Sequence, residues 1–184
     1  MGYEIIELSD KDEGYIQQTA EMLSAAFPRD SDWGTVEGTL EEIHSIMEEG
    51  RVFAAIEEGK VVGWIGGLVE YNGNVWELHP LVVRVDSRLG GVGRALVAPL
   101  EDAARAAGAT TIMLGTDDQD GRTNLSRVDD LYAEMPDILS DVFSLDLGNP
   151  HPVDFYRKCG YTVIGILPDA NGYGNPDIFM AKRV

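Results

Sequence analysis

Glu77 and His79 stand two residues apart in the stretch Trp76-Glu77-Leu78-His79-Pro80-Leu81-Val82-Val83. Strand alternation predicts Glu77, His79 and Leu81 on one face and Leu78 and Pro80 on the other. A carboxylate and an imidazole on one face can converge on an amine. An alkylamine is mostly protonated at neutral pH and must lose a proton before it attacks a carbonyl carbon, so a base beside it is useful. Glu77 is the candidate base, directly or through one water. His79 relays the proton or bonds the acceptor. Pro80 offers no N–H to a ladder, which fits a disrupted strand.

A second constellation follows at once. Arg88-Leu89-Gly90-Gly91-Val92-Gly93-Arg94 lies between that strand and a predicted helix. Glycines let the backbone approach a ligand closely. Helix-start N–H groups and the helix dipole favour a pyrophosphate, and two arginines add forked donors. The chain holds 32 acidic against 14 basic residues, a net charge of −18. The turn is therefore a local reversal of sign. It is neither a Walker loop nor a GxGxxG dinucleotide turn.

These groups need a scaffold, and the periodicity supplies one. Residues 3–8 read as a strand, 11–27 and 35–49 as helices, and 51–57, 60–71 and 75–85 as three meandering strands. Gly90 to Gly93 opens a helix to about Ala107; 110–115 is a buried strand; 152–159 is a short helix; 161–167 and 178–184 close the chain as strands. Residues 116–150 form a long polar connection with a short helix at 129–135. The order predicts one α+β domain over residues 1–184, a mostly antiparallel mixed sheet flanked by helices, with one βαβ crossover from Trp76 to Gly115.

Composition narrows the function. The acidic balance argues against nucleic acid and anionic membranes as partners and favours a cationic substrate. No apolar run approaches a membrane span, and the acidic N-terminus does not read as a signal peptide. One cysteine, Cys159, excludes an intrachain disulfide, and a cytoplasmic location is expected. His44, His79 and His151 show no metal-ligand spacing, and no GxSxG is present.

Arg88-x-x-Gly91-x-Gly93 after a strand matches the coenzyme A pyrophosphate signature of the GCN5-related (GNAT) N-acetyltransferases. Phe155-Tyr156-Arg157-Lys158-Cys159-Gly160-Tyr161 is similar to that family's late helix. The resemblance implies acetyl-CoA as cosubstrate and no metal, with the pyrophosphate held by Arg88, Gly91, Val92, Gly93 and Arg94. It places the acetyl-pantetheine along Leu81, Val82 and Val83, where a backbone N–H can stabilise an oxyanion. It sets Tyr156 near the sulfur, as proton or hydrogen-bond donor to the departing thiolate.

The stretches 76–83, 114–118, 151–161 and 167–182 together resemble the aminoglycoside 6′-N-acetyltransferases, in the branch similar to the chromosomal enterococcal enzyme. That implies a 6′-amine acceptor on drugs such as kanamycin and tobramycin, and a homodimer. Asp117 and Asp118, at the end of a central strand, are the candidate carboxylates for ammonium groups, extended by Asp120, Asp129 and Asp130. Tyr71 and Trp33 are candidate stacking surfaces. A polyamine or another amine acceptor, and a non-catalytic acetyl-CoA-binding module, are the alternatives.

Overall fold

A computed structural model of the chain describes residues 2–28, 30, 32–118, 121–125, 128–134 and 151–184. The strands are β1 (Glu4–Glu7), β2 (Gly50–Glu57), β3 (Lys60–Glu70), β4 (Val75–Val83), β5 (Thr111–Asp117), β6 (Thr162–Leu167) and β7 (Asp177–Arg183). The helices are α1 (Glu13–Ala26), α2 (Val36–Glu49), α3 (Val92–Ala106) and α4 (Pro152–Lys158), with a helical turn at 131–134. The α+β class and the mostly antiparallel mixed sheet agree with expectation: β1–β2, β2–β3, β3–β4 and β6–β7 all pair antiparallel. No helix among the described residues is long and apolar enough to cross a membrane. Asp120, and the end of the short helix expected at 129–135, lie outside the described residues.

The chain divides into two compact units, Met1–Ile112 with Val184, and Met113–Arg183. In the first, the strand order is β1-β2-β3-β4. Thr35 caps α2 by accepting from the Gly38 N–H at 3.1 Å. Helical spacing turns Ile16, Ala20 and Leu23 of α1 and Ile43 and Ile46 of α2 into the core with Val52, Ala54, Trp64 and Val82. Thr39, fully buried, donates to the Ala20 carbonyl and ties α2 to α1.

Three glycines of β3 show which face carries what. A Cβ on Gly63 or Gly67 would meet Val92, Leu96 or Leu100 of α3, whereas one on Gly66 would meet Ile46 of α2. The sheet thus has an α3 face and an α1–α2 face, as alternation requires. In the second unit the strand order is β5-β7-β6, and α4 packs on β7. Pro152 opens α4, where its missing N–H costs nothing, and His151 is the N-cap.

Candidate active site

β4 carries the first group of predicted residues, and it is not regular. Ile65 pairs with Leu81 and Gly67 with Leu78, so Gly66 alone opposes both His79 and Pro80. That is a bulge on β4, and the His79–Pro80 peptide is cis. Directly opposed residues of an antiparallel pair share a face. Leu78, opposite Gly67, and Leu81, opposite Ile65, therefore lie on the α3 face. Glu77, opposite Leu68, lies on the α1–α2 face. This corrects the simple alternation: the extra residue moves Leu81 to the face opposite Glu77.

Glu77 and His79 do share a face. Both are half-buried. His79 Nε2 stands 3.1 Å from Glu42 Oε1 on α2. The His79 ring lies 5.2 Å from the Trp33 ring, which itself meets Phe27 edge-on at 5.2 Å. Sequence reasoning missed Glu42, because nothing local links a helix residue to a strand residue 37 positions later. Trp33 was predicted as a stacking surface and stands beside His79. Tyr71 occupies the β3–β4 turn at φ 49° and is 67% exposed. A cavity of about 420 Å³ bounded by Glu7, Asp10, His44, Glu48 and Arg51 contains none of the predicted residues.

The far end of β4 leads into the glycine turn. Leu81, Val82 and Val83 pair with Ile65, Trp64 and Gly63; the Val82 side chain is buried, so only its backbone can meet a ligand. Arg88 Nε donates to the Val83 carbonyl at 3.2 Å, folding the turn back on the strand. Gly91 sits at φ 83°, a conformation in which a side chain is strained, and forms the N-cap of α3. No side chain caps that helix start, and the first intrahelical bond runs from Ala95 N to Gly91 O at 3.0 Å. The Val92 and Gly93 amides precede that bond, in the first turn whose N–H groups lack intrahelical acceptors. Val92 has a buried side chain and can contribute only its amide. With Arg88 and Arg94 on either side, this geometry fits a pyrophosphate. The additional Gly90 lies within the turn and leaves α3 intact.

The second unit holds Asp117, Asp118 and Tyr156. Asp117 ends β5; its carboxylate accepts from Asn171 Nδ2 at 2.5 Å. Its carbonyl is 2.9 Å from His151 Nε2, while His151 Nδ1 accepts from the Val153 N–H at 3.2 Å. Both contacts are satisfied together by a neutral imidazole protonated on Nε2. Burial pushes the His151 pKa below its ordinary value, against the opposing pull of the Asp117 carbonyl and the Asp118 carboxylate.

Asp118 is fully buried. Its carboxylate accepts from Arg122 N at 2.7 Å and from Thr123 N and Oγ1 at 3.0 and 2.5 Å. Burial raises its pKa, but these hydrogen bonds outweigh burial and hold it below the usual carboxylate range. Asp118, expected as a carboxylate for ammonium groups, is engaged by the loop after β5 through these hydrogen bonds. Asp130 accepts from Ala133 N at 3.0 Å and starts the helical turn at 131–134.

Tyr156 is 7% exposed, with its ring edge-on to Phe155 and Tyr161 at 5.1 and 5.8 Å. Burial, and secondarily Cys159, push its phenol pKa well above the ordinary value of 10.0. It is a phenol, never a phenolate, at neutral pH.

Residues 16–125 match the acetyltransferase (GNAT) family. The crystal structure of an aminoglycoside 6′-N-acetyltransferase complexed with coenzyme A is 37% identical, with a TM-score of 0.88, over 98% of this chain and 96% of that one. The chain belongs to the acetyltransferase (GNAT) family. It is similar too to the aminoglycoside 6′-N-acetyltransferase from Enterococcus faecium, at 38% identity and a TM-score of 0.86 over the same shares. A third solved structure, an aminoglycoside 6′-acetyltransferase type Ii, is 33% identical with a TM-score of 0.72. No curated protein sequence matches the chain. The acetyltransferase uses acetyl-CoA as its acetyl donor, and the turn from Arg88 to Arg94 suits the pyrophosphate of that molecule.

Proposed function

We propose that this acetyltransferase transfers acetyl from acetyl-CoA to the 6′-amine of an aminoglycoside, with both substrates bound together and no acetyl-enzyme intermediate. One observation carries the reading. β4 bears Glu77 and His79, with Glu42 beside them, toward one end, and runs at its other end into the arginine-flanked start of α3. Six residue steps separate Glu77 from Val83, about 20 Å of strand. One elongated anionic donor and one polycationic acceptor suit opposite ends of such a strand. Carboxylates at 42 and 77 match ammonium groups, and Trp33 suits a sugar face or an ammonium. The 37–38% identity along nearly the whole chain to two aminoglycoside 6′-N-acetyltransferases supports this acceptor over a generic amine.

In the reaction, Glu77 takes a proton from the acceptor ammonium, directly or through one water. The neutral nitrogen then forms its bond to the acetyl carbon, and a backbone N–H at Leu81–Val83 holds the developing oxyanion. The second N–H proton of the adduct passes to solvent water as the carbon–sulfur bond breaks and coenzyme A leaves as its thiolate. Tyr156 donates a hydrogen bond to the thiolate. Full proton transfer from a phenol near pKa 10 to a thiolate near 8.5 is uphill by about 2 kcal/mol, and burial of Tyr156 increases that cost. Hydrogen bonding is therefore the better role. Asp117 contributes acceptor-side charge. The same reading takes the 184 residues as one domain acting in the cytoplasm as a homodimer.

The test is thiol release from acetyl-CoA with kanamycin, tobramycin and spermidine offered separately. Rapid release with the drugs and little with spermidine supports the proposal. Release with spermidine alone keeps the chemistry and overturns the acceptor.

A further inference from the structure

The His79–Glu42 contact does more than add charge. Glu42 Oε1 is 3.1 Å from His79 Nε2, and an ionised carboxylate can only accept. Nε2 must then carry the proton. In a neutral ring that leaves Nδ1 as a bare lone pair, and Nδ1 has no partner among the described residues. The ring is held by two further features: its tilted contact with the Trp33 ring, 5.2 Å between centroids at 59°, and the bulge that sets the His79 carbonyl against Gly66. About 30% of the side chain remains exposed, so Nδ1 is reachable from outside.

We propose that Glu42 is a positioning residue that fixes His79 as its Nε2–H tautomer, so that Nδ1 accepts a hydrogen bond from the ammonium of the acceptor. The assignment rests on the acetyl-transfer reading and deepens it. Glu77 removes the proton; His79 holds the nitrogen in line and donates nothing toward it. A ring with its proton on Nδ1 would point a donor at a cation and repel it. The carboxylate on α2 prevents that state, by the logic through which a second partner sets the tautomer of a catalytic or metal-bound histidine.

The experiment is a ¹⁵N–¹H correlation of the imidazole rings of the intact protein at neutral pH. With three histidines in the chain, His79→Gln identifies the relevant signals by their loss. The expected result is a neutral Nε2–H ring at His79. Glu42→Met, which keeps the bulk of this half-buried side chain but removes the acceptor, is expected to give a mixture of tautomers. It is also expected to lower acceptor kcat/KM roughly tenfold while leaving the KM for acetyl-CoA unchanged. An Nδ1–H or doubly protonated ring in the unaltered protein overturns the proposal, as does an unchanged tautomer in Glu42→Met. The ring measurement needs no acceptor, so a failure of the aminoglycoside reading would appear separately, as an absence of thiol release by the unaltered enzyme.

Discussion

The substitution Gly66→Ala tests whether the β4 bulge builds the acceptor side. A Cβ on Gly66 would stand 2.3 Å from the His79 carbonyl oxygen and 3.1 Å from Ile46 Cγ2. Contacts of that kind do not close below 3.0 Å, so the two backbones must separate by about 0.7 Å. Neither atom set is the loose end of a flexible side chain; one is backbone and the other a methyl of a fully buried residue. Overpacking of this sort costs about 1–3 kcal/mol. For a chain of this size a loss near the middle of that range lowers Tm by roughly 4–8 °C. The same shift moves His79 relative to Glu77, and misplacement approaching 1 Å costs up to about 100-fold in rate. The expected result is an acceptor kcat/KM reduced by roughly 10- to 100-fold, with the KM for acetyl-CoA nearly unchanged. Gly67→Ala is the control. Its Cβ would meet Leu100 Cδ1 at 2.3 Å, on the α3 face, where the end of a side chain can turn away. It should lower Tm but change acceptor kcat/KM by less than about twofold. Thermal melts and thiol-release kinetics with each substrate varied in turn measure both. Wild-type melting and turnover in Gly66→Ala would refute the bulge argument. Equal loss of acceptor kinetics in both variants would show general core damage instead.

Four other outcomes are expected. Glu77→Gln should lower kcat by roughly 100-fold or more, as loss of a general base does, while calorimetric affinity for acetyl-CoA holds. Arg88→Ala should raise the KM for acetyl-CoA about tenfold, the worth of one charge-assisted hydrogen bond, with acceptor KM little changed. Tyr156→Phe keeps the ring contacts and should melt as wild type, with kcat lower by about three- to tenfold, measured by thiol release. The fourth concerns pH. His151 has a depressed folded pKa against an unfolded value of 6.5, so the unfolded chain binds the proton first. Its stabilising contribution is present above 6.5 and is lost as pH falls from there toward the folded value. Urea midpoints should decline over that window, and His151→Asn, which retains an N-cap oxygen, should flatten the decline.

Much of this fold was legible because local signals agreed. The Glu58-Gly59 and Asn72-Gly73 turns bound β3, Gly108 follows α3, and apolar spacing at Ile16, Ala20, Leu23, Ile43 and Ile46 marked two amphipathic helices. The start of α3 was legible for the same reason: glycines after a strand mark a turn that needs left-handed backbone, and Gly91 at φ 83° is the N-cap. Glu77 and His79 were visible as a pair, but their neighbours were not. Alternation counts residues along one strand and cannot see that Gly66, on the next strand, opposes two of them. Only the pairing reveals the bulge and the reversal of Leu81. Glu42 was hidden among other acids of α2, distinguished only by the tertiary packing that brings it to His79.

The acidic residues show the same limit in the opposite direction. Asp117 and Asp118 are adjacent and chemically identical, and both follow from the position of β5, so sequence gave them one role. Their surroundings separate them. Asp118 points inward to Thr123 and the Arg122 amide and is fully buried. Asp117 remains half-buried, with its carboxylate bonded by Asn171. A fully buried side chain bonded by the loop around it stabilises that loop; a half-buried one reaches the surface as well. Net charge of −18 therefore overstates what a cationic substrate meets. On the proposed function, the carboxylates that meet the acceptor are those, like Glu77 and Glu42, that are half-buried near the His79 imidazole. On the proposed reading, a substitution series that neutralises acids one at a time should lower acceptor affinity at Glu42, Glu77 and Asp117 and lower stability at Asp118.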